Sequence, residues 1–401
     1  MNLFKFLLYN EYYIKMNYVQ VPNESYKLIN IYKKKYPEQK NLFDEIEGNL
    51  TQRLWHQLAD NLLLLSSLPE LQKGTDLLEI YNGLIIFIES VFNPMKLLSL
   101  IKNLLTNFRG KMEEGLQFVE NLEKKLKLKG EEVLYIKIIK GYCFFELGRK
   151  YELEDLMKAV EGEFENKSEI DPLVYSNFYK LATYYYNQQK KYDEFYTSAF
   201  QYLAYEKHIS NEEKLNLCFN MCVASLIGEK MFNFAELIEK DFFKLMLGTQ
   251  YDWIYNLILS FNSAKVDQFL SMLNTYNAQI NANAVLKDKV EFLKGKIRIA
   301  ALLDLVFQKN KNERTVTYKE IQENCKIENE QIEYISMKAL SLGLIKGNID
   351  EVEQKIIVNW IQPKYLDKEK IAFLEKRFEN WIDKAGKMLT NFEELGSPLL
   401  N

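Results

Sequence analysis

A mainly α protein with a small mixed module near its C-terminus is the fold class this chain predicts, and three observations carry that expectation. Only 7 of its 401 residues are Pro and 16 are Gly, against 26 Tyr, 25 Phe and abundant Leu, Lys and Glu. Sharp turns are therefore few and long helices are favoured. From about Leu42 to Ala300 apolar residues recur at helical spacing in segment after segment, with no convincing alternating run. From Thr315 to Pro363 the hydrophobic period changes type midway, from helical to strand-like.

Residues 1–40 read as an N-terminal extension. Its opening run MNLFKFLLYNEYY is too short for a secretory signal and has no small-residue cleavage site. Residues 41–308 follow as amphipathic helices separated by brief polar or Gly-containing joints. The best internal echo sets FFELGRKYELEDLM (Phe144 to Met157) against YYNQQKKYDEFYTS (Tyr185 to Ser198). Tyr151 and Tyr192 each follow a basic joint, 41 residues apart, an interval that suits one antiparallel helix pair with its connection. Pairs stacked side by side bury a continuous core that no single pair buries alone, which makes this a TPR-like helical-repeat array. Tyr-rich stretches such as YKLATYYYNQ then fill helix-pair interfaces. Ala284 to Phe307 reads as one long helix leading out of the array, and KNKNER (Lys309 to Arg314) as a charged joint.

Residues 309–365 read as a winged helix. Tyr318 to Asn324 makes a short helix, and Glu328 to Leu342 a second, whose apolar residues Ile332, Ile335, Met337, Ala339, Leu340 and Leu342 fall largely at helical spacing. Gly343 stops it, since glycine tolerates the left-handed conformation that closes a helix. Leu344 to Lys346 and Lys355 to Trp360 follow as strands, with Ile356, Val358 and Trp360 expected on one face. Between them GNIDEVEQ supplies the turn residues of a wing. Residues 366–401 make one more helix and a tail, with Asp367 as N-cap. Ile371, Leu374, Phe378, Trp381, Ile382, Ala385, Met388 and Leu389 recur every three or four positions and form one stripe. The winged helix is expected to close a small core of its own, so that stripe either folds back on the chain or pairs with helices of other proteins.

The residue inventory argues against catalysis. The chain has two histidines, His56 in LWHQL and His208 in EKHIS, and shows no HExxH, no GxSxG and no Gly-rich phosphate loop. Cys143, Cys218, Cys222 and Cys325 are too few and too unevenly spaced for a disulfide framework or a zinc site. They read as buried structural thiols in a reducing compartment. No catalytic, cofactor-binding or metal-binding residue is therefore assigned, and no cofactor. The longest apolar run, LIIFIESVF, is broken by Glu89 and falls short of a membrane span.

Charge bears on nucleic acid. The net charge is -4 and the pI about 5.7, so no general field attracts a polyanion. The second winged-helix helix carries Glu328, Glu330 and Glu333 against Lys338, and the wing adds Asp350, Glu351 and Glu353. Phosphate neutralisation supplies most non-specific DNA affinity, so this surface disfavours nucleic acid and suits docking with another protein. The expected docking residues are Leu344, Ile345, Lys346, Ile356, Val358 and Trp360.

A helical array running into a winged helix and a terminal helix resembles the PCI-domain layout, shared by the proteasome lid, the COP9 signalosome and a translation initiation factor. Five blocks choose among these: LWHQL (Leu54 to Leu58), LLEIYNGLIIFIESVFNPMKL (Leu77 to Leu97), GEKMFNFAEL (Gly228 to Leu237), LSFNSAKVDQF (Leu259 to Phe269) and MKALSLGLIKGNIDEVEQKIIVNWIQPKYLD (Met337 to Asp367). They resemble the non-ATPase regulatory subunit 13 family of the 26S proteasome lid, from about Leu54 to the terminal helix. The first forty residues find no clear counterpart, and the loop from Glu161 to Asp171 is only loosely similar. The resemblance implies a non-catalytic scaffold, cytoplasmic and nuclear, in a hetero-oligomer. Its implied partners are the other lid PCI subunits, the lid deubiquitinase heterodimer, the core particle and the ATPase ring, with no nucleic acid and no membrane. It also implies that the terminal stripe enters a helix bundle with other lid subunits. A signalosome or initiation-factor subunit with RNA contact is the alternative reading of the layout.

Overall fold

The computed structural model describes residues 21–72, 74–126, 128–166, 170–206, 209–309, 314–363 and 368–396. The run MNLFKFLLYNEYY, His208, most of the KNKNER joint and the Asp367 cap lie outside the described residues. The chain divides into two compact units, 1–185 and 186–401.

The first unit is helical throughout its described residues. Helices α1 (Asn23–Lys35), α2 (Lys40–Thr51) and α3 (Trp55–Ser66) pack in sequence, α1 on α2 and α2 on α3. A broken helical stretch over Asp76–Val91 follows, with a π turn at Tyr81–Ile85. Helices α4 (Pro94–Leu104), α5 (Met112–Lys125), α6 (Glu131–Glu146) and α7 (Lys150–Asn166) come next, and the division falls within α8 (Pro172–Gln189). Part of the expected N-terminal extension is thus built into this unit. In α1, Ser25, Ile29 and Tyr32 are buried, Ser25 Oγ donates to the Gly83 carbonyl at 2.6 Å, and Tyr32 OH donates to Glu79 at 2.8 Å.

Glu89 breaks the apolar run LIIFIESVF from the inside. It is buried, and its carboxylate accepts from Tyr81 OH and from Lys125 Nζ, the pairing a buried charge requires. The repeat echo also sharpens. The turn after α6 has Gly148 at φ 70° with Arg149 N–H donating to the Phe144 carbonyl. The turn after α8 has Lys190 at φ 56° with Lys191 N–H donating to the Tyr186 carbonyl. These matching helix ends stand one residue further apart than Tyr151 and Tyr192 do, so the two tyrosines are not equivalent. Tyr151 is 86% exposed and Tyr192 half-buried. Within YKLATYYYNQ, Tyr185 is buried, Tyr179 and Tyr186 are half-buried, and Tyr184 stays exposed.

The second unit begins with α9 (Tyr192–Tyr205) and α10 (Asn211–Ile227), and continues through two short helices to α11 (Asp252–Asn262) and α12 (Val266–Thr275). The outgoing helix α13 spans Val290–Gln308 and starts later than the expected Ala284. The side-chain oxygen of Asn283 accepts from the Val285 and Leu286 N–H groups and opens a separate turn, which runs through a 3-10 segment at Lys287–Lys289 before α13 begins.

The winged helix follows as β1 (Thr315–Thr317), α14 (Tyr318–Cys325), α15 (Asn329–Ser341), β2 (Ile345–Asp350) and β3 (Lys355–Ile361). A capping box between Thr317 and Glu320 opens α14. Gly343 takes φ 70° after α15, as expected. The sheet order is β1-β3-β2, antiparallel throughout. Strand β1 was not anticipated, and β2 runs on through Gly347 to Asp350, so the turn of the wing is only residues 351–354.

Two expectations about this module are corrected. Ile356 and Val358 are buried but Trp360 is 40% exposed, because Lys346 pairs with Trp360 and Gly347 with Val358, leaving Asn359 without a partner. One extra residue flips the faces beyond it, so Ile361 turns inward in place of Trp360. Gly347 permits the bulge, since a Cβ there would lie 2.1 Å from the Ile357 carbonyl oxygen. Nor does the winged helix close a core of its own. Val316, Ile321, Ile332, Leu344 and Ile356 join one continuous cluster with Ile297, Leu302 and Val306 of α13. The last helix, α16, spans Lys368–Gly396.

Candidate functional site

Helix α16 presents a long unroofed apolar stripe. Ile371, Phe378, Trp381, Ile382, Ala385, Met388 and Leu389 are all exposed, Trp381 by 70%, and Phe392 extends the stripe by one more position. The side chain of Leu374 lies outside the described residues. A large apolar side chain gains about 1.5–3 kcal/mol when fully buried, so a stripe of this size favours association.

The winged-helix positions divide. Leu344, Ile345, Ile356 and Val358 are buried in the core shared with α13, so their side chains face away from any docked partner. Alternation put them on the core face, and that face is closed by α13 and α15. Lys346 and Trp360 point outward together, with the Lys346 ammonium 5.1 Å from the Trp360 ring centre. Strand β3 is central and has no free edge, which leaves the outer edges of β1 and β2 for backbone pairing. Two residues that the sequence reading passed over as docking positions, Tyr334 and Met337, stand exposed three apart on α15 beside Glu330 and Lys338. Their helical spacing hid them, because an apolar residue on an amphipathic helix reads as core.

Among the described residues no chemical centre emerges. All four cysteines are buried, and burial pushes the Cys143 and Cys325 thiols up to about 12 and raises Cys222 as well. Such thiols are poor nucleophiles. Cys218 Sγ and Cys222 Sγ both lie against the Met246 sulfur, at 3.2 and 3.9 Å. His56 is exposed and lies 3.3 Å from Asp60, one turn along α3. Among the described residues no group of three His, Cys, Asp or Glu side chains is placed to hold a metal ion, and no helix is long and apolar enough to cross a membrane.

Residues 42–258 match the family described as PSD13 N-terminal repeats, and residues 266–360 match the PCI domain. The chain is 30% identical over 368 residues to the 26S proteasome non-ATPase regulatory subunit 13 homolog A of Arabidopsis thaliana, covering 90% of this chain and 95% of that one. The chain belongs to the 26S proteasome non-ATPase regulatory subunit 13 family. The family's Dictyostelium discoideum member, named 26S proteasome non-ATPase regulatory subunit 13, is 29% identical over 90% of this chain and 95% of its own. The Saccharomyces cerevisiae protein named 26S proteasome regulatory subunit RPN9 is 25% identical over 89% and 93%. All three names describe regulatory subunits. In the subunit 13 family's terms, the repeat match runs from α2 into α11, and the PCI match from α12 into β3. The PCI match thereby takes in α13 together with the winged helix that shares its core. Helices α1 and α16 lie outside both matches.

Proposed function

We propose that this chain is a non-catalytic scaffold subunit of the 26S proteasome regulatory particle lid, supporting lid assembly and hence ubiquitin-dependent protein degradation. Family membership supplies the complex, and the exposed stripe of α16 is the observation that carries the mode of action. The helix enters a bundle with terminal helices of other lid subunits, burying Phe378, Trp381 and Leu389. The winged helix docks side by side with a neighbouring PCI subunit through an outer strand edge, with Lys346 and Trp360 at its margin. The wider partners are the lid deubiquitinase heterodimer, the core particle and the ATPase ring, in cytoplasm and nucleus.

Deleting Asp367 to Asn401 tests the reading. The shortened chain should remain folded and soluble yet fail to enter the lid on native gels. Normal incorporation of the shortened chain would refute the bundle.

A further inference from the structure

Lys296 of α13 is 2% exposed, the most deeply buried cation among the described residues. Its Nζ donates to three main-chain carbonyls at the end of α10: Ser225 at 2.6 Å, Leu226 at 3.1 Å and Gly228 at 2.6 Å. Three rings surround the same atom, Phe232 at 5.3 Å, Phe234 at 5.6 Å and Phe261 at 5.9 Å from their centres.

Each part of this arrangement answers a physical need. The last carbonyls of a helix have no intrahelical partner and carry the negative end of its dipole, so a cation there is favoured. An ammonium has three N–H donors, matching three acceptors. Aromatic faces add attraction in a site that water does not reach. Gly228 belongs to the same construction. A Cβ on it would lie 2.3 Å from the Asp193 carboxylate, the charged group that faces Lys296. Asp193 is held inward with one carboxylate oxygen buried and without a hydrogen bond.

We infer that Lys296 is an internal latch, its ammonium filling a cage of three carbonyls and three rings that fastens α13, and with it the seat of the winged helix, to the end of α10. The latch accounts for two of the sequence blocks that single out this chain. GEKMFNFAEL contributes Gly228, Phe232 and Phe234, and LSFNSAKVDQF contributes Phe261, far apart in sequence but converging on one nitrogen. Opening the latch releases the 225–234 segment and α13 together, because Lys296 Nζ and the Ser225, Leu226 and Gly228 carbonyls are each other's partners.

Two measurements on the full chain test this without reference to the lid. Under native acetylation with N-hydroxysuccinimidyl acetate, read by peptide mass spectrometry, Lys296 should react at least about 100-fold more slowly than Lys294, which is 37% exposed on the same helix. Comparable rates would overturn the latch. The second measurement is amide hydrogen exchange in Lys296→Met and in the milder Phe232→Leu, whose ring is only half-buried. Phe232→Leu should speed Lys296 acetylation about tenfold while leaving exchange in residues 21–126 unchanged. In either folded variant, residues 225–234 and 293–306 should exchange faster together. Faster exchange in one segment alone would overturn the coupling, and if Lys296→Met does not fold, Phe232→Leu decides.

Discussion

The winged-helix sheet and helix α16 carry similarly strong apolar patterns, and they use them in opposite ways. In the sheet, Ile345, Ile356 and Val358 face inward and complete a core shared with α13. In α16, Phe378, Trp381 and Leu389 face solvent with nothing above them among the described residues. An apolar pattern states that a face favours burial. Whether the partner belongs to the same chain depends on what the fold already supplies, and the sheet is covered by α13 and α15 where the described stripe of α16 stands exposed.

The sharpest way to break that contrast is to truncate one residue in each region. Ile356→Ala should destabilise the isolated chain by about 2–5 kcal/mol in denaturant unfolding, the range for a buried aliphatic truncated to Ala. Trp381→Ala should change isolated-chain stability by less than about 0.5 kcal/mol, while weakening entry into the lid on native gels, since buried aromatics dominate interfaces. A stability loss at Trp381 equal to that at Ile356 would mean that α16 packs on its own chain.

Lys296 extends the comparison to a buried polar group, through pH. Burial is the larger influence and pushes its pKa down from 10.5 to about 7, while Asp193 pulls it up. Between about 7 and 10.5 the unfolded chain then binds a proton that the folded chain does not. Stability relative to Lys296→Met should therefore rise with pH across that window, by about 1.4 kcal/mol per unit, and be flat below it. Denaturant unfolding of both proteins at pH 6, 7.5 and 9 measures the difference. The rise would mark the latch passing from ammonium to neutral amine with one N–H donor fewer, whereas a flat difference would show that the three carbonyls keep the ammonium charged in the cage as well as water does outside it.

Gly347→Ala probes the bulge that separates the inward from the outward faces. A methyl group 2.1 Å from the Ile357 carbonyl forces the strands apart, so a loss of about 1–3 kcal/mol is expected, in line with other overpacking changes. Trp360 fluorescence should shift as well if the register relaxes.

Much of this was legible in the sequence, and what was not has local causes. Helix existence, the Gly343 stop, the buried thiols and the continuous α16 stripe follow from period and composition alone. Strand β1 was missed because three residues give no alternation to count, although the Thr317 and Glu320 spacing marks a helix start just after it. The Trp360 face was misjudged because a bulge is set by backbone pairing, and Gly347 was its one visible sign. The inward placing of the Leu344, Ile345, Ile356 and Val358 side chains, expected at the docking surface, has a related cause. Strand alternation identifies a buried face but not what buries it. Lys296 left no local mark at all, since its carbonyls and rings come from two other stretches of chain, 225–234 and Phe261.

A small effect is also expected on the outward face itself. Lys346 and Trp360 sit opposite each other across β2 and β3, with the ammonium over the indole. Both side chains remain in contact with water, so their attraction is worth about 0.5–1 kcal/mol. Lys346→Met keeps most of the aliphatic contact with the ring and removes the charge, which should cost the isolated chain no more than that amount in denaturant unfolding. The same substitution should matter more in the assembled lid, where a docked neighbour would exclude water from the pair and strengthen it. A defect in lid entry that exceeds the stability loss would place Lys346 at the margin of the docking edge. Equal, small effects in both assays would leave α16 as the surface that holds the chain in the complex.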